Sequence, residues 1–177
     1  MLGRILIGIG IGIAALATVF RKSNLMPTEN QKFEHLEPST RLFAQSLIEW
    51  AKSKGMKIRL GETYRSWQDQ LKVDPSRTAI KPGEFGWHSV GRAFHLVITG
   101  PNGKLDEGAY KTVGEEARRR GGVWFGDRVL RSSSGKPFID LAHFEYHPEW
   151  KSLSAYRGTP AAQQELALAE QRAKTVA

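Results

Sequence analysis

The sequence predicts an α+β fold, a small antiparallel sheet with flanking helices. Helical and strand patterns are interleaved without the regular βαβ rhythm that builds a parallel sheet. One segment, residues 92–98, alternates cleanly with period two. The 177 residues also leave room for one ordinary domain once an apolar N-terminus is set aside.

That N-terminus comes first. Residues 5–20 carry no charge, with Arg4 before them and Arg21-Lys22 after. Sixteen apolar residues lie at the short end of the ~17–25 that span a bilayer. A signal-anchor over residues 1–22 is the expectation. Its rival is a cleaved signal peptide with Ala15-Leu16-Ala17 as the small-residue site. Gly8, Gly10, Gly12 and the nearby alanines make the segment only weakly hydrophobic. Residues 23–38, with Pro27 and Pro38, read as a polar linker.

Ser39 can cap a helix running to Lys54 and stopped by Gly55. Leu42, Phe43, Leu47, Trp50 and Ala51 recur at helical spacing and are expected to face the core. Residues 57–64 form a strand candidate with Ile58 and Leu60 on one face. Ser66 can cap a short helix over 67–73. Residues 74–87 hold two Pro and two Gly and read as an irregular loop.

In the strand over 92–98, alternation sets Ala93, His95 and Val97 against Phe94, Leu96 and Ile98. Pro101-Asn102-Gly103 is a turn. Residues 107–120 read as a helix ended by Gly121-Gly122. A strand within 138–147 groups His143, Glu145 and His147 on one face. The tail, 151–177, becomes Ala/Gln/Glu-rich after Thr159 and is expected to be a peripheral helix.

Composition narrows the chemistry. There is no cysteine, so disulfides and thiolate zinc sites are excluded, and any metal site must use histidine and carboxylate. A net charge of +8 favours polyanionic partners. A nucleic-acid role lacks a recognition motif, and the Arg118-Arg119-Arg120 run suits a helix C-terminus. No nucleic acid is expected as a partner, and nothing suggests more than a monomer.

Two motifs carry the functional signal. Gly86-Trp87-His88-Ser89-Val90-Gly91-Arg92-Ala93-Phe94-His95 offers two imidazoles, and Asp140-Leu141-Ala142-His143 a third with a carboxylate. On an unbroken strand His88 and His95 would face opposite ways, so a turn at Gly91 must bring them together. His88, His95 and His143 could then hold zinc with an open position. Asp140 would take a proton as general base. Arg65 could bind a substrate carboxylate or an oxyanion. Each residue alone also has a structural reading: a satisfied histidine, a turn aspartate, a surface ion pair. His35 is read as structural, and His147 as a surface or supporting imidazole.

Taken together, the motifs resemble the zinc D,D-/L,D-peptidase family, which includes phage endolysins and D-Ala-D-Ala carboxypeptidases. That pattern runs Ser-x-His-x-x-Gly-x-Ala-x-Asp, then a Trp-Gly-Gly-Asp-like segment, then Asp/Glu-x-x-His. His88, Gly91 and Ala93 match the first part, Trp124-Phe125-Gly126-Asp127 resembles the second, and Asp140 with His143 matches the third. Thr63-Tyr64-Arg65-Ser66-x-x-x-Gln70 resembles the family's Tyr-Arg-Ser segment, and Arg77-Thr78 with Pro82-Gly83 adds to it. The likeness covers residues 41–147.

The resemblance implies a Hedgehog/DD-peptidase-like fold over 39–150. It implies a Zn2+ cofactor, peptidoglycan as partner and hydrolysis of stem peptides. The Trp-x-Gly-Asp segment looks more like the endolysin branch, which cuts L-Ala–D-Glu. A D-Ala-D-Ala carboxypeptidase and a catalytically degenerate wall-binding protein are the alternatives. Two departures stand out: Gly86 replaces the family Ser, and His95 stands where the family has Asp. The implied location is membrane-anchored with the domain facing the periplasm or wall, released from the anchor, or virion-associated.

Overall fold

The computed structural model describes residues 31–176. The expected signal-anchor, residues 1–22, and the first part of the linker lie outside them. Among the described residues no helix is long and apolar enough to cross a membrane.

A single four-stranded antiparallel sheet organises the chain. Its strands are β1 (Lys57–Leu60), β2 (Ala93–Thr99), β3 (Val123–Trp124) and β6 (His143–Glu145), in the order β1-β2-β6-β3. A separate hairpin pairs β4 (Leu130–Arg131) with β5 (Pro137–Phe138). The helices are α1 (Pro38–Ser53), α2 (Trp67–Gln70), α3 (Glu107–Arg119), α4 (Leu153–Arg157) and α5 (Pro160–Val176). The α+β antiparallel expectation therefore holds.

Period-two alternation in β2 gives the sheet its two faces. Phe94, Leu96 and Ile98 are fully buried against α1 and α3, with Phe43, Leu47, Val113, Trp124 and Phe144. His95 points to the opposite face. Trp124 also donates its indole N–H to the Leu141 carbonyl at 2.9 Å, tying the loop before β6 to the core. A smaller cluster of Trp87, Val90, Ala93, Tyr156 and Ala162 packs beneath α4 and α5.

Several expectations are corrected. Leu42 is 67% exposed, whereas the buried stripe of α1 runs through Thr40, Phe43, Ala44, Leu47, Ile48 and Ala51. Leu42 falls just off that i, i+3, i+4 stripe. Glu37, not Ser39, caps α1: its carboxylate accepts from the Ser39 and Thr40 amides, with Pro38 in the first turn. The linker reading ends early, because Phe33–His35 forms a 3-10 turn and both His35 and Leu36 are buried.

β1 stops at Leu60 rather than 64, and α2 at Gln70 rather than 73. The α2 cap is as expected, with the Ser66 hydroxyl accepting from the Asp69 amide. The tail is helical, and α5 is tied to the fold: Glu165 accepts two hydrogen bonds from buried Arg92, at 2.6 and 2.8 Å.

Candidate metal centre

Backbone geometry brings the three histidines together. His88 sits on a 3-10 turn, Trp87–Val90, closed by Gly91 at φ 74°. That left-handed conformation suits glycine, and a Cβ there would lie 2.7 Å from the His35 carbonyl oxygen. The chain then reverses into β2, so His88 reaches the face that His95 occupies. His95 and His143 are direct register partners across the β2–β6 ladder. Cross-strand partners share a face with Cβ atoms ~4.5–5.5 Å apart, so this pair converges without any loop.

One ligand atom from each of His88, His95 and His143 lies within 4.8 Å of the others. His88 Nε2 is 3.3 Å from His143 Nδ1, and His143 Nδ1 is 3.4 Å from His95 Nε2. Two nitrogens on a tetrahedral zinc, each ~2.0–2.1 Å from it, stand about 3.3 Å apart. Both separations from His143 Nδ1 match that edge.

The tautomers fit as well. His143 Nε2 lies 2.8 Å from Glu145 Oε1, and His95 Nδ1 lies 3.5 Å from Glu62 Oε2. The His143 nitrogen bonded to Glu145 carries the proton, which leaves His143 Nδ1 as a lone pair facing the cluster. With Glu62 on its Nδ1 side, His95 can present Nε2 as a lone pair too, 3.4 Å from His143 Nδ1. Two lone pairs so placed are favourable around a cation. The residues therefore fit a zinc ion, and the donor set is the neutral imidazole trio expected from the sequence.

Electrostatics separate the three rings. Burial, then the neighbouring His95 and Arg65, push His88 well below its usual 6.5 and keep it neutral. Burial also lowers His95, against the pull of Asp140 and Glu62. Burial opposes charge on His143 too, but the hydrogen bond and charge of Glu145 outweigh it and raise the pKa. For Glu145, burial works upward, yet the hydrogen bonds from His143 and His147 hold it at about 2.

Glu145 is shared. Its second oxygen lies 2.8 Å from His147 Nε2, and His147 Nδ1 lies 2.9 Å from the Trp150 carbonyl. Trp87 stacks on the His147 ring at 4.1 Å between centroids. His147 is thus a supporting imidazole that does not face the cluster. His35 is structural, with Nδ1 3.3 Å from the Thr63 hydroxyl.

Asp140 lies beside the cluster, its Oδ2 3.9 Å from His95 Nε2 and its side chain 30% exposed. That is within reach of a water or substrate group at the open side. Arg65 is held by Glu62 through Nε and Nη2 and by Gln70 through Nη1. Gln70 in turn donates to Thr78 at 3.2 Å. Three of the five guanidinium N–H groups are used, so two remain for a ligand. The Tyr-Arg-Ser-x-x-x-Gln spacing and Thr78 are thereby explained as the mount for Arg65.

Asp127 of the Trp-Phe-Gly-Asp segment instead pairs with Arg118, at 2.6 Å. That segment's contact with the site is indirect, through Trp124 and Leu141.

Sequence reasoning missed Glu62. Both Gly61 and Glu62 bond the His95 backbone, Gly61 N–H donating to its carbonyl and Glu62 C=O accepting from its amide, each at 2.7 Å. Two residues against one is the count of a β-bulge. Strict alternation would have placed Glu62 with Ile58 and Leu60, on the core side.

No family model matches the chain, and no curated protein matches it. Solved structures do. The chain is similar to an L,D-carboxypeptidase, DacB, from Streptococcus pneumoniae, with 24% identity, TM-score 0.47 and coverage of 70% of this chain and 77% of that one. It is also similar to the LD-carboxypeptidase LdcB, at 23% identity, TM-score 0.47 and coverage of 70% and 76%. A third similar structure is the vancomycin-resistance D,D-pentapeptidase VanY in complex with Zn(II), at 15% identity, TM-score 0.49 and coverage of 77% and 83%.

Proposed function

We propose that this chain is a zinc-dependent peptidase that hydrolyses the stem peptides of peptidoglycan. The observation that carries the reading is the convergence of three imidazoles, with His143 Nδ1 at the edge length of a zinc tetrahedron from both His88 Nε2 and His95 Nε2, and Asp140 beside them. The sequence motifs around these residues support the substrate class.

Held by His88, His95 and His143, a zinc ion would supply a Lewis acid that makes a water more acidic and polarises a carbonyl. The protein does the rest. Asp140 takes the proton of the attacking water and delivers it to the leaving amine. Arg65, braced by Glu62 and Gln70, turns its two free N–H groups on the substrate carboxylate or the developing oxyanion. Glu145 fixes the His143 ring, so that Nδ1 keeps facing the site.

At finer grain the proposal is an L-Ala–D-Glu endopeptidase, supported by the Trp-x-Gly-Asp resemblance. Residues 1–22 would anchor the monomeric chain in a membrane, with the domain facing the periplasm or wall.

The test is to incubate the zinc-loaded chain with purified peptidoglycan, with and without chelator, and identify released termini by mass spectrometry. Chelator-sensitive D-Glu N-termini are the expected result. Release of D-Ala would overturn the bond assignment alone. No products from a folded, zinc-loaded chain would overturn the activity.

A further inference from the structure

His95 stands where the resembling family carries a negatively charged ligand. Substitution by imidazole removes one negative charge from the metal's immediate surroundings and adds a ring whose tautomer must be set. Glu62 occupies the place from which both effects can be offset. Its Oε2 lies 3.5 Å from His95 Nδ1, on the side of the ring away from the cluster, and its side chain is 26% exposed.

The bulge at Gly61 and Glu62 puts it there. Gly61 allows the close approach, since a Cβ at that position would stand 3.1 Å from both the Cβ and the carbonyl oxygen of His95. We infer that Glu62 is a positioning residue for the metal: it orients His95 through Nδ1 and returns to the site the carboxylate charge that a histidine ligand lacks. This inference rests on the zinc reading above.

Glu62 also holds Arg65, so a structural alternative is plain: it could serve the guanidinium alone. The two roles separate in a set of variants. Zinc affinity of the full chain is measured by competition with a chromophoric chelator for wild type, E62Q, H95D, E62Q/H95D, R65M and E62Q/R65M. Loss of an outer carboxylate partner weakens metal binding by about 10–100-fold.

The expected result is that loss in E62Q and in E62Q/R65M relative to R65M, with little or no loss in E62Q/H95D relative to H95D. There the ligand is already a carboxylate, with no ring nitrogen to orient. Nitrogen NMR of the zinc-loaded wild type should show His95 protonated at Nδ1. Equal affinity of E62Q and wild type would overturn the inference while leaving the zinc reading intact. Disappearance of the effect in the R65M background, or an equal effect in the H95D background, would overturn it as well. Failure of wild type to bind zinc at all would instead remove the reading on which it rests.

Discussion

Glu145 bridges His143 and His147, one carboxylate oxygen to each Nε2 at 2.8 Å. The small side chain of Ala93, its register partner on β2, stands opposite this carboxylate. One largely buried acid thereby sets the tautomer of a candidate ligand and is itself braced by a second imidazole stacked on Trp87.

The first prediction follows from that bridge. Glu145→Gln should keep the fold and weaken zinc binding by about 10–100-fold, because the amide can no longer enforce a lone pair at His143 Nδ1. Chelator competition measures it, and unchanged affinity would show that the ring is held by packing alone.

A second prediction concerns pH and the metal-free chain. The pKa values of His143 and His147 are raised above 6.5, burial being outweighed by Glu145. Their stabilisation is complete below 6.5 and disappears as pH rises through the raised folded values. Glu145 is depressed from 4.5 to about 2, so its share is present above 4.5 and is lost as pH falls toward 2. His88 and His95, lowered by burial, act in the opposite sense, so the comparison that isolates the bridge is with the variant: denaturant unfolding in chelator should show Glu145→Gln losing more stability near pH 6 than near pH ~9. An equal loss at both pH values would refute the linkage.

Asp140→Asn should bind zinc like wild type and lose turnover on peptidoglycan by about 100-fold or more, the usual scale of general acid–base catalysis. Full activity in that variant would remove Asp140 from the mechanism.

The core makes its own prediction. A Cβ at Gly114 of α3 would stand 2.1 Å from the Trp124 ring. Gly114→Ala must push that indole off the sheet, disturbing its bond to Leu141, and should destabilise by about 1–3 kcal/mol. A shift in denaturant midpoint tests it; a stabilised variant would mean that α3 can move away freely.

The parts of this site that were legible in the sequence are those governed by local rules. Alternation in β2 placed His95 opposite the core residues Phe94 and Leu96. Gly91 announced the reversal that returns His88, and the 143-145-147 alternation grouped the bridged trio. Other features depend on distant partners. Glu62 was hidden because a bulge breaks the alternation that would have located it. Leu42 is helical and apolar like its neighbours, and only the rotation of α1 against the sheet leaves it outside. The short β3, β4 and β5 strands have too few residues to show any period, and Asp127 is claimed by an arginine on α3 rather than by the site.

The central claim is that His88, His95 and His143 together hold one zinc ion, and metal analysis of the purified full chain tests it most directly. The account predicts one zinc per chain in wild type and none in His143→Ala, with the variant still folded. A wild-type chain that stays metal-free when supplied with zinc, or a His143→Ala variant that retains a full equivalent, would contradict it.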